Sequence, residues 1–168
     1  MDLFVNHTLS NLKQAWRQTI EGDGGYCPCC GRWGKINAFY FDQTKALALI
    51  WMSKQSGEWI DMPKTAPRWI LRGKTFSMAA LWGLIEKSGS QDNPKKKSDG
   101  LWRLTTKGLD FVSGRITIPR KVFTYDRKAE GFSQEEVYIR DCLDIRFDYW
   151  ELMSEQFRFN SIDEIIRK

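Results

Sequence analysis

Histidine is nearly absent from this chain of 168 residues: His7 stands alone. That leaves little material for general-base chemistry or imidazole-rich metal sites. Four cysteines, three of them crowded at Cys27, Cys29 and Cys30, do not form a disulfide framework. No apolar run approaches the roughly 20 residues of a membrane span, so no membrane partner is expected. The first residues, MDLFVNHTLSNLKQAW, lack a basic start, an apolar stretch and a small-residue cleavage site. A signal peptide is therefore not expected, and the reading is a cytoplasmic protein. Glycine-rich phosphate loops, G-x-S-x-G, HExxH and paired-carboxylate constellations are also missing, so an enzyme is not expected.

Aromatics are not scarce. Eight Trp and ten Phe supply ample core material and argue against a disordered chain. The net charge of +5 conceals a sharp asymmetry. Residues 1–62 hold six Lys/Arg and six Asp/Glu; residues 63–128 hold fifteen and five; residues 129–168 hold five and ten. The middle third thus carries +10 and the last third −5. A basic block of this kind suits a polyanion, or merely solvates a surface.

Periodicity gives a coarse map. Leu9, Leu12, Trp16 and Ile20 recur at helical spacing within Leu3–Glu21, with Asn6 and Thr8 as possible caps. Arg32–Phe41 reads as one strand, Thr44–Gln55 as a helix and Glu58–Met62 as a short strand. Pro67 is placed to start a two-turn helix ending near Leu71, and Gly73 supplies a turn before a helix from Lys74 to Trp82. In that last helix Phe76, Ala80, Leu81 and Leu84 are expected to face the core, leaving Thr75, Ser77, Met78, Ala79 and Trp82 outside. Thr106–Gly114 reads as a helix, and Arg115–Tyr125 as two strand pieces around Pro119. Asp126–Phe132 reads as a turn and Glu135–Ile139 as a strand; acidic helices follow over Phe147–Phe157 and Ser161–Arg167.

One stretch organises the rest: TFSMAALWGLIEKSGSQDNPKKKSDGLWRLTTKGLDFVSGR, from Thr75 to Arg115. Its order is helix, GLIE, a basic Ser88–Gly100 loop, then W-x-L-T-x-K-G. This resembles the winged helix-turn-helix domains of MarR- and PadR-like regulators. With the preceding C-P-x-C-G and the following ITIPRKVFTY, the chain also resembles a group of small phage-encoded proteins of unassigned role. The resemblance implies an α+β fold with a winged helix-turn-helix core over 44–115. An N-terminal helix and knuckle (1–43) would precede it, and a β-rich extension with acidic helices (116–168) would follow. It implies a phage-encoded protein acting in the host cell cytoplasm.

Two functions remain open on this basis. A DNA-binding accessory or regulatory protein would use Arg68, Arg72, Lys74, Thr75, Ser77, Lys95, Lys96, Lys97 and Arg103 against double-stranded DNA. The Lys74–Trp82 face offers no Arg, Asn or Gln for a bidentate base contact, so sequence selectivity would be modest. Alternatively the domain is a scaffold for binding a host protein complex, with its Trp and Tyr residues as anchors. The amphipathic N-terminal helix must cover either the core or a second subunit, so a homodimer is possible.

Cys27, Pro28, Cys29, Cys30, Gly31 have the form of a zinc knuckle, in which Cys27 and Cys30 point inward and Gly31 permits the turn. No second CxxC or HxxxH follows. Zinc would need Cys29, Cys142, His7 or a partner chain to complete four ligands. The alternative is a metal-free turn with buried thiols.

Overall fold

The computed structural model describes residues 8–89 and 100–167. Among them, no helix is long and apolar enough to cross a membrane. The architecture is mixed α+β, with several small antiparallel sheets around one buried cluster. That cluster is centred on α2 (Gln43–Ser53), in which every residue from Lys45 to Met52 is buried. A helix apolar on all sides can only be an interior element. The Asp42 side chain caps it by accepting from the Lys45 N–H at 3.1 Å. Lys45, a buried cation, is satisfied: its Nζ lies 2.8 Å from Asp42 Oδ2 and donates to Tyr40 O at 3.1 Å.

Ahead of α2 stand α1 (Leu9–Glu21), β1 (Gly25–Tyr26), β2 (Trp33–Gly34) and β3 (Asn37–Tyr40). The Thr8 side chain caps α1 by accepting from Asn11 N at 3.3 Å. Strands β1 and β2 form a hairpin, with Tyr26 opposite Trp33. The single strand expected over Arg32–Phe41 is in fact two. Its first half pairs with β1 and its second with the later strand Lys121–Tyr125, and Ile36 N–H between them donates to Ile20 O at 2.7 Å.

After α2 come β4 (Ile60–Asp61), α3 (Met62–Thr65), α4 (Arg68–Leu71), a 3-10 helix (Arg72–Trp82), β5 (Ile85–Lys87), β6 (Leu101–Leu104) and α5 (Thr106–Val112). The three strands form one antiparallel sheet in the order β4-β6-β5, with Ile85 opposite Leu104 and Ile60 opposite Trp102. Pro67 precedes α4 as its N-cap, and α4 is a single turn rather than two.

The LTTKG segment explains itself in contacts around the end of the 3-10 helix. Gly83 ends that helix at φ +73°. Thr105 N–H donates to Leu84 O at 3.0 Å, Thr105 Oγ1 donates to Gly83 O at 2.6 Å, and Lys107 Nζ donates to Trp82 O at 2.8 Å. A Cβ on Gly108 would stand 2.0 Å from Leu84 O, so only glycine lets α5 pack this closely.

The 3-10 helix corrects the expected facing of its residues. Phe76, Ala79 and Trp82 are buried, while Ala80 is exposed. At 3.0 residues per turn, positions three apart stack in one row, whereas the 3.6-residue period selects a different set. Trp82 is thereby sealed inside, with Nε1 donating to Pro119 O at 2.7 Å and its ring edge-on to Phe41 at 5.3 Å.

Beyond α5 lie β7 (Ile118–Pro119), β8 (Lys121–Tyr125), β9 (Lys128–Phe132) and β10 (Glu136–Val137). The segment Asp126–Phe132 is not simply a turn. Asp126 and Arg127, at φ 47° and 65°, form a two-residue reversal, and β9 runs back along β8. Sheet β3-β8-β9 joins the chain before α2 to the chain after α5. The C-terminal helices are shorter than expected: α6 (Tyr149–Met153) and α7 (Ile162–Ile166) have five residues each. Both dock by apolar residues, Leu152 and Ile162 being fully buried.

Candidate nucleic-acid interface

Buried Trp69 and Ile70 fix the short α4, and Trp69 Nε1 donates to Phe159 O at 3.0 Å. This anchoring leaves Arg68 and Arg72 exposed one helical turn apart. Arg72 Nη2 lies 3.6 Å from Asp163 Oδ1 on α7, an exposed and weak pairing. Gly73 follows at φ +79°. Lys74 lies in the 3-10 helix, with its side chain outside the described structure; Thr75 and Ser77 are half-buried. Lys95, Lys96 and Lys97 lie outside the described residues. The last described rung below them is Ser88 N–H to Leu101 O at 3.0 Å.

Arg103 is occupied differently from the other candidates. It stands at the centre of the β4-β6-β5 sheet, where its Nε donates to Glu86 and its Nη1 to Glu58. Its guanidinium also stacks over Trp59, 4.4 Å from the ring centroid. Two carboxylates and an aromatic face hold this cation, so it ties β6 to β5 and to the segment that leads into β4. Sequence alone placed Arg103 beside the wing but contained no signal for these partners, which come from Glu58 and Glu86, 45 and 17 residues away.

The outward side of the 3-10 helix borders a cleft of about 410 Å³, with Ser77, Met78 and Leu81 on one wall and Phe39, Thr124 and Arg127 on the other. Arg127 is a cation near the helix that sequence reading missed. It arrives through the tight Asp126-Arg127 reversal, whose residue pair is not one of the usual glycine-containing hairpin signals. A second cleft of about 500 Å³ is largely apolar and lined by Met62, Leu71, Phe76, Lys87 and Trp102.

The cysteine loop closes the β1–β2 hairpin at the other end of the sequence. Cys27 N–H donates to Arg32 O at 2.7 Å, and Gly31 N–H, at φ +68°, donates to Cys27 O at 2.8 Å. Cys27 is half-buried, whereas Cys29 and Cys30 are exposed. Backbone N–H groups of Cys30 and Cys29 point at the Cys27 sulfur and hold its thiol below the ordinary range. Cys142 belongs elsewhere. Its Sγ lies 3.6 Å from Tyr138 O, and burial together with the nearby Asp141 carboxylate pushes its thiol up to about 12. Among the described residues, no three of His, Cys, Asp and Glu are grouped to hold a metal ion.

The basic candidates that the structure describes fall into two sets: Arg68 and Arg72 open to solvent, and Arg103 bound internally. The chain matches no protein-family model, no curated protein and no solved structure.

Proposed function

We propose that residues 44–115 form a winged helix-turn-helix, and that the chain is a phage-type accessory or regulatory protein binding duplex DNA with modest sequence selectivity. The observation that carries this reading is the order helix, strand, two one-turn helices, 3-10 helix, strand, strand, helix from α2 to α5, with the strands arranged β4-β6-β5. A winged helix orders its elements in this way, and here the order coincides with the +10 block of residues 63–128. Arg68 and Arg72 suit phosphate oxygens, and Lys95–Lys97 would supply the wing. Ser77, Met78 and Leu81 give no bidentate base readout, which accounts for the modest selectivity.

The second reading is a protein-interaction module, a phage inhibitor of a host enzyme or defence complex, with the same domain as scaffold. The internal engagement of Arg103 and the exposure of Tyr26, Trp33 and Trp150 favour it.

Neutralising Lys95, Lys96 and Lys97 together separates the two. On the DNA reading, affinity falls almost equally for unrelated duplexes, and the slope of log affinity against log salt drops by up to about 3. Arg103→Gln should leave that slope unchanged, because its charge is already met by Glu58 and Glu86. A wild-type chain that does not bind duplex at moderate salt, or a triple variant with an unaltered slope, would overturn the DNA reading.

A further inference from the structure

We propose that the outer face of the β3-β8-β9 sheet binds an unpaired strand of nucleic acid, with bases stacking on its aromatic rings and phosphates meeting the lysines between them. The inference does not rest on the winged-helix reading, which places duplex DNA on α4, the 3-10 helix and the wing.

Strand β8 sorts its side chains by alternation. Val122 and Thr124 are buried, so Lys121, Phe123 and Tyr125 point to the opposite face. Register extends that face to both neighbours, because residues directly opposite each other share a side of the sheet. On β3, Tyr40 stands opposite Lys121 and Ala38 opposite Phe123. On β9, Lys128 stands opposite Tyr125 and Gly131 opposite Phe123. Phe123 is thus flanked by alanine on one side and glycine on the other. Ala38 is exposed, and a Cβ on Gly131 would meet no atom of the described residues within 4 Å. The space beside this ring can take a flat base.

The same face offers more rings. Tyr40 is 50% exposed, with Lys121 Nζ 4.7 Å from its ring centroid. Tyr125 also lines a cleft of about 400 Å³ whose walls include Arg32, Trp33, Lys35 and Asp126. Trp33 is 57% exposed.

Exposed rings alone would suit a protein partner as well. The cations decide for a polyanion. Among the described residues, none of Arg32, Lys35, Lys121 and Lys128 forms an ion pair, whereas Arg103 is held between two carboxylates. Against these cations stand Asp126 in the cleft and Glu130 at the bulge of β9, so the balance is positive. Lysines interleaved with rings match a chain that alternates phosphates with flat bases. A duplex keeps its bases stacked on one another and cannot offer their faces to these rings. The surface therefore selects unpaired strands.

Fluorescence anisotropy of the full chain with labelled oligo(dT) and oligo(rU) of about 12 nucleotides tests this, with a hairpin duplex as third probe. Binding of at least one unpaired strand at about 50 mM salt is expected, and the tighter of the two identifies the source as DNA or RNA. Tyr40→Leu and Trp33→Leu keep apolar bulk but remove the ring, and each should weaken strand binding at least about fivefold. Tyr40→Phe keeps the ring and should bind as the wild type does. Lys121→Gln combined with Lys128→Gln should lower the slope of log affinity against log salt by about 0.7 per lost phosphate contact, hence by about 1.4. Neutralising Lys95, Lys96 and Lys97 should leave strand binding as it was, whatever it does to duplex binding, which separates this surface from the wing. Tyr40 and Trp33 are exposed, so their variants should fold, and thermal unfolding checks that they do. Failure of both unpaired strands to bind would overturn the inference. So would wild-type affinity in folded Tyr40→Leu and Trp33→Leu, or loss of strand binding in the Lys95–Lys97 variant.

Discussion

Helices α1 and α2 are of similar length, yet they do opposite work. Along α2, eight consecutive residues are buried; along α1, one is. The difference lies in how apolar residues are spread. In α2 they occupy every face, so the helix can be stable only if surrounded, and the cluster from Phe41 to Ile162 surrounds it. In α1 they form a stripe (Leu9, Leu12, Trp16, Ile20) backed by Lys13, Gln14, Arg17 and Gln18; Leu9 is exposed, Leu12 and Trp16 are half-buried and Ile20 is buried. A helix that packs by one stripe is a cover, whereas an all-apolar helix is a foundation.

Truncation should separate them most strongly. Leu49 is fully buried, so Leu49→Ala removes its contacts and leaves a cavity, at an expected cost of about 2–5 kcal/mol. Leu9→Ala should change stability by less than about 0.5 kcal/mol. Urea unfolding of both variants is the measurement. Comparable losses at the two positions would mean that α1 is as much a part of the core as α2.

A smaller effect is expected where α5 meets the end of the 3-10 helix. Gly108→Ala puts a methyl group against the Leu84 carbonyl, which already accepts from Thr105 N–H. Backbone on both sides leaves nothing flexible to yield, so a loss of about 1–3 kcal/mol is expected. An unchanged unfolding midpoint would show that α5 can slide away from the sheet at no cost. The foundation around α2 would then be looser than its packing indicates.

Much of this foundation was legible in the sequence, for physical reasons that vary by element. The Thr8 cap, the α2 helix and the strand pieces around Pro119 follow from local signals: a hydroxyl before a helix, apolar periodicity, and a ring that interrupts a strand. The misreadings arose where local signals were silent or gave the wrong period. Trp82 was turned outward because a period of 3.6 was applied to a helix that turns every three residues. The β8–β9 hairpin went unseen because Asp126 and Arg127 adopt positive φ without glycine. The partners of Arg103 left no local signal because both carboxylates are distant in sequence. For the candidate site, composition revealed the basic block but not which of its cations were already engaged.

Thiol chemistry gives the finest test of the same contrast, because each region holds its own cysteines. Alkylation proceeds through the thiolate, so its rate follows the thiol pKa and access. On the hairpin, Cys29 and Cys30 are exposed, and amide donors hold the Cys27 thiol below its ordinary value of 9.0. A lowered pKa means more thiolate at any given pH, so metal-free protein should be modified there first. Cys142 packs against the buried cluster, where burial and Asp141 raise its thiol to about 12. Three units above an ordinary thiol leaves it on the order of a thousandfold less thiolate near neutral pH. Iodoacetamide labelling followed by mass spectrometry at pH 7.5 should therefore mark the hairpin cysteines well before Cys142, and denaturant should abolish the difference. The same shift fixes the sign of a pH effect. The unfolded chain releases this proton near pH 9 and the folded chain only near 12, so the contribution to stability is intact below 9 and is lost as pH rises towards 12. If Cys142 were labelled as fast as Cys29 in the native protein, the segment carrying it would open as readily as the hairpin, and the buried cluster would end short of Cys142.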